Sequence, residues 1–207
     1  MLTKRVDLTF RDQEGGTPLH AAYRVWCFGS WLDDERLGRS ARREAAVGPS
    51  MTQARITVGV ISDTHGTVRP EAVEALRDSE LIVHAGDVGG PEVLDRLRAI
   101  APTIAVRGNV DRGAWARSLR LREVVEVGAL QLYVLHELSE LDLDPKGARF
   151  AAVIFGHSHR PNAEVRGGVL FLNPGSAGPR RFALPVAVAK LRVAGKNLFH
   201  ELIELQV

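Results

Sequence analysis

Five short apolar runs rich in β-branched residues follow one another from Ile56 onward: Ile56–Ile61, Leu81–Val83, Ile104–Val106, Leu130–Leu135 and Ala151–Phe155. Runs of this length read as strands. Segments with helical patterning lie near Pro70–Arg77 and Pro91–Ala99. Each opens with a proline, whose fixed φ and missing N–H suit the first helical position. This alternation predicts βαβ units, a parallel sheet and an α/β fold.

Residues 1–50 keep no such period. They hold a brief alternation (Val6, Leu8, Phe10), an aromatic cluster (Tyr23, Trp26, Phe28, Trp31) and an Arg-rich run (Arg36, Arg39, Arg42, Arg43). The one stretch that could serve as a signal-peptide core, Ala21–Phe28, is broken by Arg24, whereas secretion needs an uninterrupted apolar region of about 7–15 residues. Thr17-Pro18-Leu19-His20 matches an ankyrin signature, but no second copy follows, and such units bury a core only when about three are stacked. The expected organisation is an N-terminal extension over 1–50, disordered or not natively translated, and a single domain over 51–207.

Composition narrows the chemistry. Of 207 residues, 45% are hydrophobic and 25% charged, enough for a sizeable core and too apolar for a disordered chain. No apolar run approaches the roughly 18 residues that span a bilayer, so a soluble, cytoplasmic protein is expected. Net charge is only +2, which does not indicate nucleic acid as a partner. Cys27 is the single cysteine, so any metal must rest on nitrogen and oxygen ligands.

The ends of the runs carry such ligands. Ile56–Ile61 leads into Asp63-Thr64-His65, and Leu81–Val83 leads through His84 into Gly86-Asp87. Ile104–Val106 leads into Gly108-Asn109, Leu130–Leu135 ends at His136, and Ala151–Phe155 ends at Gly156-His157-Ser158-His159. Ligands of open α/β sheets sit beyond the carboxyl ends of strands, so these signals are expected to converge on one crevice. Taken singly, Asp-x-His, Gly-Asp and Gly-Asn-x-Asp are ordinary turn sequences. Taken in this order, each after its own strand, they point to a metal site. Two Asp, one Asn and four His are too many ligands for one tetrahedral ion. With a bridging carboxylate they suit two ions, a recurring device for phosphate ester hydrolysis.

These motifs resemble those of the calcineurin-like metallophosphoesterase superfamily, in particular its small YfcE-type phosphodiesterases, from about Ile56 to Leu205. The resemblance implies a four-layer α-β-β-α sandwich. It implies that Asp63, His65 and His159 hold one divalent ion, that Asn109, His136 and His157 hold a second, and that Asp87 bridges them. Asp63, Asp87, Asn109 and His136 are the expected catalytic set. The metal pair is expected to be manganese first, with nickel, iron or zinc as alternatives, since a mixed nitrogen/oxygen shell accepts several first-row ions. The implied reaction is phosphodiester hydrolysis by a metal-bridging hydroxide, on a small phosphodiester, by a protein that could form a homo-oligomer. Asn173-Pro174-Gly175-Ser176 is similar to a family loop near the site, and is not counted among the ligands.

Two departures from the family pattern stand out. Many members carry a histidine after the third-motif Asn, as proton donor or transition-state stabiliser; Val110 stands there, as is common in the YfcE-like group. The fourth motif, usually His-Gly-His, reads His136-Glu137-Leu138, and an inward Glu137 would disfavour highly anionic substrates. Gly156-His157-Ser158-His159-Arg160 is not a serine-hydrolase elbow, which needs Gly where Arg160 stands. Arg107, Arg112, Arg180 and Arg181 are candidates for phosphate contacts. His84 is expected to be packed or to orient a ligand; His20 and His200 are expected on the surface or in packing. A second class of function, a protein-interaction scaffold with little catalysis, is kept because the retromer scaffold subunit shares this fold with a degraded ligand set.

Overall fold

The computed structural model describes residues 55–181 and 183–207, so the expectations for residues 1–50 lie outside the described residues. Every predicted apolar run forms a strand: β1 (Arg55–Ile61), β2 (Leu81–His84), β3 (Thr103–Ala105), β5 (Leu130–Leu135) and β6 (Ala152–Ile154). Both proline-led helices form as well, α1 (Pro70–Leu76) and α2 (Pro91–Arg98), and a one-turn helix, α3 (Ala114–Arg117), follows β3. The remaining strands are β4 (Arg122–Val127), β7 (Asn162–Arg166), β8 (Val169–Asn173), β9 (Ala187–Ala194) and β10 (Asn197–Glu204).

The apolar runs pointed to parallel pairing and the motifs to two sheets; two mixed sheets are found, ordered β10-β9-β1-β2-β3 and β4-β5-β6-β8-β7. Parallel pairing is confined to β1-β2-β3 and β5-β6-β8. The antiparallel additions arise from three hairpins, β4–β5, β7–β8 and β9–β10. Each has a two-residue loop opened by a glycine at positive φ: Gly128 (59°), Gly167 (58°) and Gly195 (60°). Tight loops of this kind have a twist that matches the flanking strands, and they need positive φ at the first loop position.

Strand alternation sorts the core into layers. Ile56, Val58 and Val60 of β1 face inward with Val83 and Leu191, against Val125, Leu132, Val134, Ile154, Leu170 and Leu172 of the second sheet. The opposite face of the first sheet, through Ile61, Ile82 and Val188, packs on Ala72 and Leu76 of α1 and Val93, Leu94 and Leu97 of α2. Burying such side chains contributes about 1.5–3 kcal/mol each as an upper bound, and this packing holds helices too short to persist alone. Gly59 lets α1 approach, because a Cβ there would lie 2.8 Å from Leu76 Cδ2.

The mixed α/β, four-layer plan implied by the motifs is present, with a thin fourth layer. Over the outer face of the second sheet, Leu138, Leu141, Leu143 and Phe150 cover Tyr133, Leu135, Val153, Phe155 and Phe171. These covering residues belong to an irregular segment with one 3₁₀ turn, Leu138–Glu140, in place of an α-helix.

Candidate metal centre

The loops after β1 and β2 extend the strand ladder: the N–H groups of Asp63, His65 and Gly66 donate to the carbonyls of Gly86, Asp87 and Val88. The second sheet joins them where Gly156 N–H donates to the His136 carbonyl and His157 N–H donates to Asp63 Oδ2 (3.1 Å). Strand ends of both sheets therefore meet at one edge. Among the described residues, six non-glycine residues have positive φ, and five of them are Asp63, His65, Asp87, His157 and His159. Left-handed backbone costs a non-glycine residue roughly 1–3 kcal/mol and persists where surrounding contacts impose it, typically at functional sites. Here it turns side chains from successive loops toward a common point.

On one side of that point lie Asp63, His65 and His159. Asp63 is fully buried. Its Oδ2 accepts from Ser62 Oγ (2.6 Å) and His157 N–H, whereas its buried Oδ1 has no hydrogen-bond partner among the described residues. That orphaned oxygen is 3.2 Å from His159 Nε2, which is 3.3 Å from His65 Nε2. A buried carboxylate oxygen without a donor costs free energy unless a cation compensates it. The donor set therefore fits a divalent ion.

On the other side lie Asn109, His136 and His157. His136 Nδ1 is 2.8 Å from the Ala85 carbonyl. It donates there, which leaves the Nε2 lone pair for a ligand. That Nε2 is 3.1 Å from Asn109 Oδ1 and 3.4 Å from Asp87 Oδ1. The Asn109 oxygen faces only these acceptors; a rotated amide would donate its nitrogen to the same atoms. Asp87 stands between the sides, with Oδ1 toward His136 and Oδ2 3.9 Å from His65 Nε2. Two overlapping groups of donor atoms result, Asp63–His65–His159 and Asp63–Asp87–His136. His157 is the outlier: it is 43% exposed, with Nε2 3.9 Å from Glu137 Oε2.

Charge in the site is mutually adjusted. Burial opposes ionisation of Asp87, yet the His136 ring and the Val110 N–H (3.0 Å) hold its carboxyl below the usual range. Burial likewise opposes protonation of His136, and Asp87 with the Ala85 carbonyl outweighs it, so its pKa is raised. His65 is lowered by burial, and Arg181 acts in the same direction.

Residues 56–196 match the calcineurin-like phosphoesterase superfamily domain. The chain belongs to that superfamily. It is 36% identical over 158 residues to a probable metallophosphoesterase of Methanothermobacter thermautotrophicus, covering 70% of this chain and 91% of the relative. A phosphodiesterase of Methanocaldococcus jannaschii is 28% identical over 137 residues, covering 57% and 82%. Vacuolar protein sorting 29 of Cryptosporidium parvum superposes with a TM-score of 0.64 at 20% identity, over 73% of this chain and 92% of that one. The E. coli phosphoesterase YfcE superposes with a TM-score of 0.53 at 23% identity, over 73% and 100%. The last two likenesses speak for the fold alone.

Around the superfamily's donor cluster, other residues fix the loops. His84, buried between the β1 and β2 loops, accepts from Gly86 N–H at Nδ1 (3.2 Å). Thr64 Oγ1 donates to the Val88 carbonyl (2.8 Å), so His84 Nε2–H must be the donor in its 2.9 Å contact with Thr64 Oγ1. Burial drives the His84 pKa down to about 4, and the ring stays neutral. The expectation that His84 orients a neighbour thus acquires named partners. Asn173 of the Asn-Pro-Gly-Ser loop donates to the Gly156 carbonyl (2.7 Å) and Ser158 Oγ (3.0 Å), bracing the His157–His159 turn. Gly156 is required by close approach, since a Cβ would lie 2.7 Å from Asp63 Oδ2.

Sequence reasoning did not assign a role to Asp111. Its carboxylate accepts from the N–H groups of Val88, Gly89 and Gly108 at 2.8–3.1 Å, stapling the Asp87 loop to the Asn109 loop. Its place in Gly-Asn-x-Asp was the available signal. Val110 is 42% exposed, His200 is exposed on β10, and no helix among the described residues is long and apolar enough to cross a membrane.

Proposed function

We propose that this chain is a cytoplasmic phosphodiesterase that uses two divalent ions, manganese first, to hydrolyse a small phosphodiester. The observation that carries the proposal is the buried, unpartnered Asp63 Oδ1 facing His159 and His65. Asp63, His65 and His159 would hold one ion and Asn109, His136 and His157 the other, with Asp87 shared. Such ions supply charge to phosphoryl oxygens and a water acidic enough to attack near neutral pH. The chain's own residues do the positioning. Ser62 and the His157 N–H fix Asp63 in one rotamer, the Ala85 carbonyl fixes the His136 tautomer, and Asp111 holds Asp87 and Asn109 in register.

Diester preference is supported by the phosphodiesterase relative, and Val110 offers no proton to a leaving group. Without an acid at that position, esters whose leaving group departs as a weak base are the favoured substrates. Val110 equally supports a second reading, a binding scaffold with little catalysis.

Turnover of a chromogenic phosphodiester with added Mn²⁺ distinguishes the two. The enzyme reading expects metal-dependent hydrolysis, abolished in Asp87→Asn and Asn109→Ala. No turnover with saturating Mn²⁺, Ni²⁺, Fe²⁺ or Zn²⁺ would leave the scaffold.

A further inference from the structure

Four arginines were candidates for phosphate contacts, and the structure separates them. Among the described residues, Arg181 is the one whose guanidinium reaches a candidate ligand: its Nη2 lies 3.4 Å from His65 Nε2. These residues are 116 positions apart in the chain, so the approach depends on how the intervening fold presents residue 181.

That presentation is built. The segment after β8 is fastened to the Asp63 loop: Ser176 Oγ donates to the Asp63 carbonyl (2.9 Å) and Ala177 N–H donates to the Ser62 carbonyl (3.0 Å). Arg69 Nε donates to the Gly178 carbonyl (3.2 Å). At the far end, Leu184 N–H donates to the Arg181 carbonyl (3.2 Å), and Ala187 N–H donates to the Ser176 carbonyl (2.9 Å) as β9 begins. Arg181 therefore sits on a loop that is tied at its start to the Asp63 loop and that runs at its end into β9, the antiparallel neighbour of β1, with its side chain open to solvent.

The chemistry follows from lone-pair counting. His65 Nε2 has one lone pair; a cation there takes it, and the arginine donors then aim at whatever lies beside the cation. A guanidinium presents a planar fork suited to two oxygens of a phosphate. The opposite rim carries Glu137, 3.9 Å from His157, so the mouth is positive at one end and negative at the other.

We propose that Arg181 is a specificity-determining residue that binds a non-bridging phosphoryl oxygen on the His65 side and orients the ester across this gradient. This rests on the dimetal phosphoesterase reading.

The test titrates inorganic phosphate into the Mn²⁺-loaded full chain by calorimetry, with metal content measured on the same samples. Arg181→Ala is expected to retain its manganese and to bind phosphate about 10–100-fold more weakly, the span of a charge-assisted hydrogen bond. Arg181→Lys recovers part of the loss. In turnover, KM for a diester rises more than kcat falls. Unchanged phosphate affinity in Arg181→Ala, or a loss confined to Arg180→Ala, would overturn the assignment while the function stands. Failure of the unaltered chain to bind manganese and turn over a diester is a different result, and overturns the functional reading together with the inference.

Discussion

The two sides of the donor cluster differ in how firmly they are built. On the Asp63 side, the carboxylate is fully buried, with one oxygen held by Ser62 and His157 N–H and the other, unpartnered, 3.2 Å from His159 Nε2. Behind it, His84 and Thr64 join the β1 and β2 loops. On the Asn109 side only His136 is comparably buried, Val110 beside Asn109 is exposed, and His157 leans toward Glu137 in solvent. Preorganised ligands bind metal with less reorganisation, and partners behind the ligands typically change affinity or activity 10–100-fold. The Asp63 side should hold its ion tightly, and the Asn109 side should exchange.

The largest expected effect separates the sides directly. His159→Asn should lower turnover on the order of 10³-fold, matching the several kcal/mol of charge stabilisation that one ion supplies, and remove one tightly held equivalent by elemental analysis. His157→Asn should leave that equivalent in place and weaken only the second ion, read as about a 10–100-fold higher Mn²⁺ requirement. Equal losses in both variants would erase the contrast.

Next comes acid stability. His84 is neutral in the native state, where burial lowers its pKa to about 4 from the ordinary histidine value of about 6.5. The unfolded chain therefore takes up a proton that the folded chain refuses. The associated stability is full above pH 6.5 and lost as pH falls toward 4, by about 3 kcal/mol. Denaturant unfolding from pH 7 to 4 should show this slope flattened in His84→Gln; identical slopes would mean that another group governs acid unfolding.

Asn173→Ala, which strands the buried Gly175 N–H now donating to Asn173 Oδ1 (2.9 Å), should cost about 1–3 kcal/mol of stability by thermal unfolding. Glu137→Gln should be smallest, within about 0.5 kcal/mol in stability as expected of a surface change. Its measurable signature is a fall in KM that is larger for dianionic phosphomonoesters than for diesters.

The Asp63 side was also the more legible one. Asp-x-His and Gly-Asp follow unbroken apolar runs, and Pro70 and Pro91 announced the helices between them, so strand, turn and donor could be read together. The seven predicted ligands gather at one edge, and His157 is the most loosely held: its backbone is placed by Asp63 and its ring edge packs on His136 (5.3 Å between centroids), yet the side chain stays 43% exposed. The antiparallel outer strands were harder to read. β4, β7 and β10 alternate with charged residues, and their signal lies in Gly128-Ala129, Gly167-Gly168 and Gly195-Lys196, short loops whose meaning depends on both flanking strands. Arg181 could not be told from Arg180 by sequence, because the pinning of its loop is a tertiary property.

The 3.2 Å approach of Asp63 to His159 joins chain positions far apart in sequence and in different sheets. An ion shared by them would act as a cross-link, closing a loop of roughly 100 residues and stabilising the fold through lost freedom of the unfolded chain, as a disulfide does. The described domain, which contains no cysteine, would thus have a removable staple. A chelator should open it as a reductant opens a disulfide.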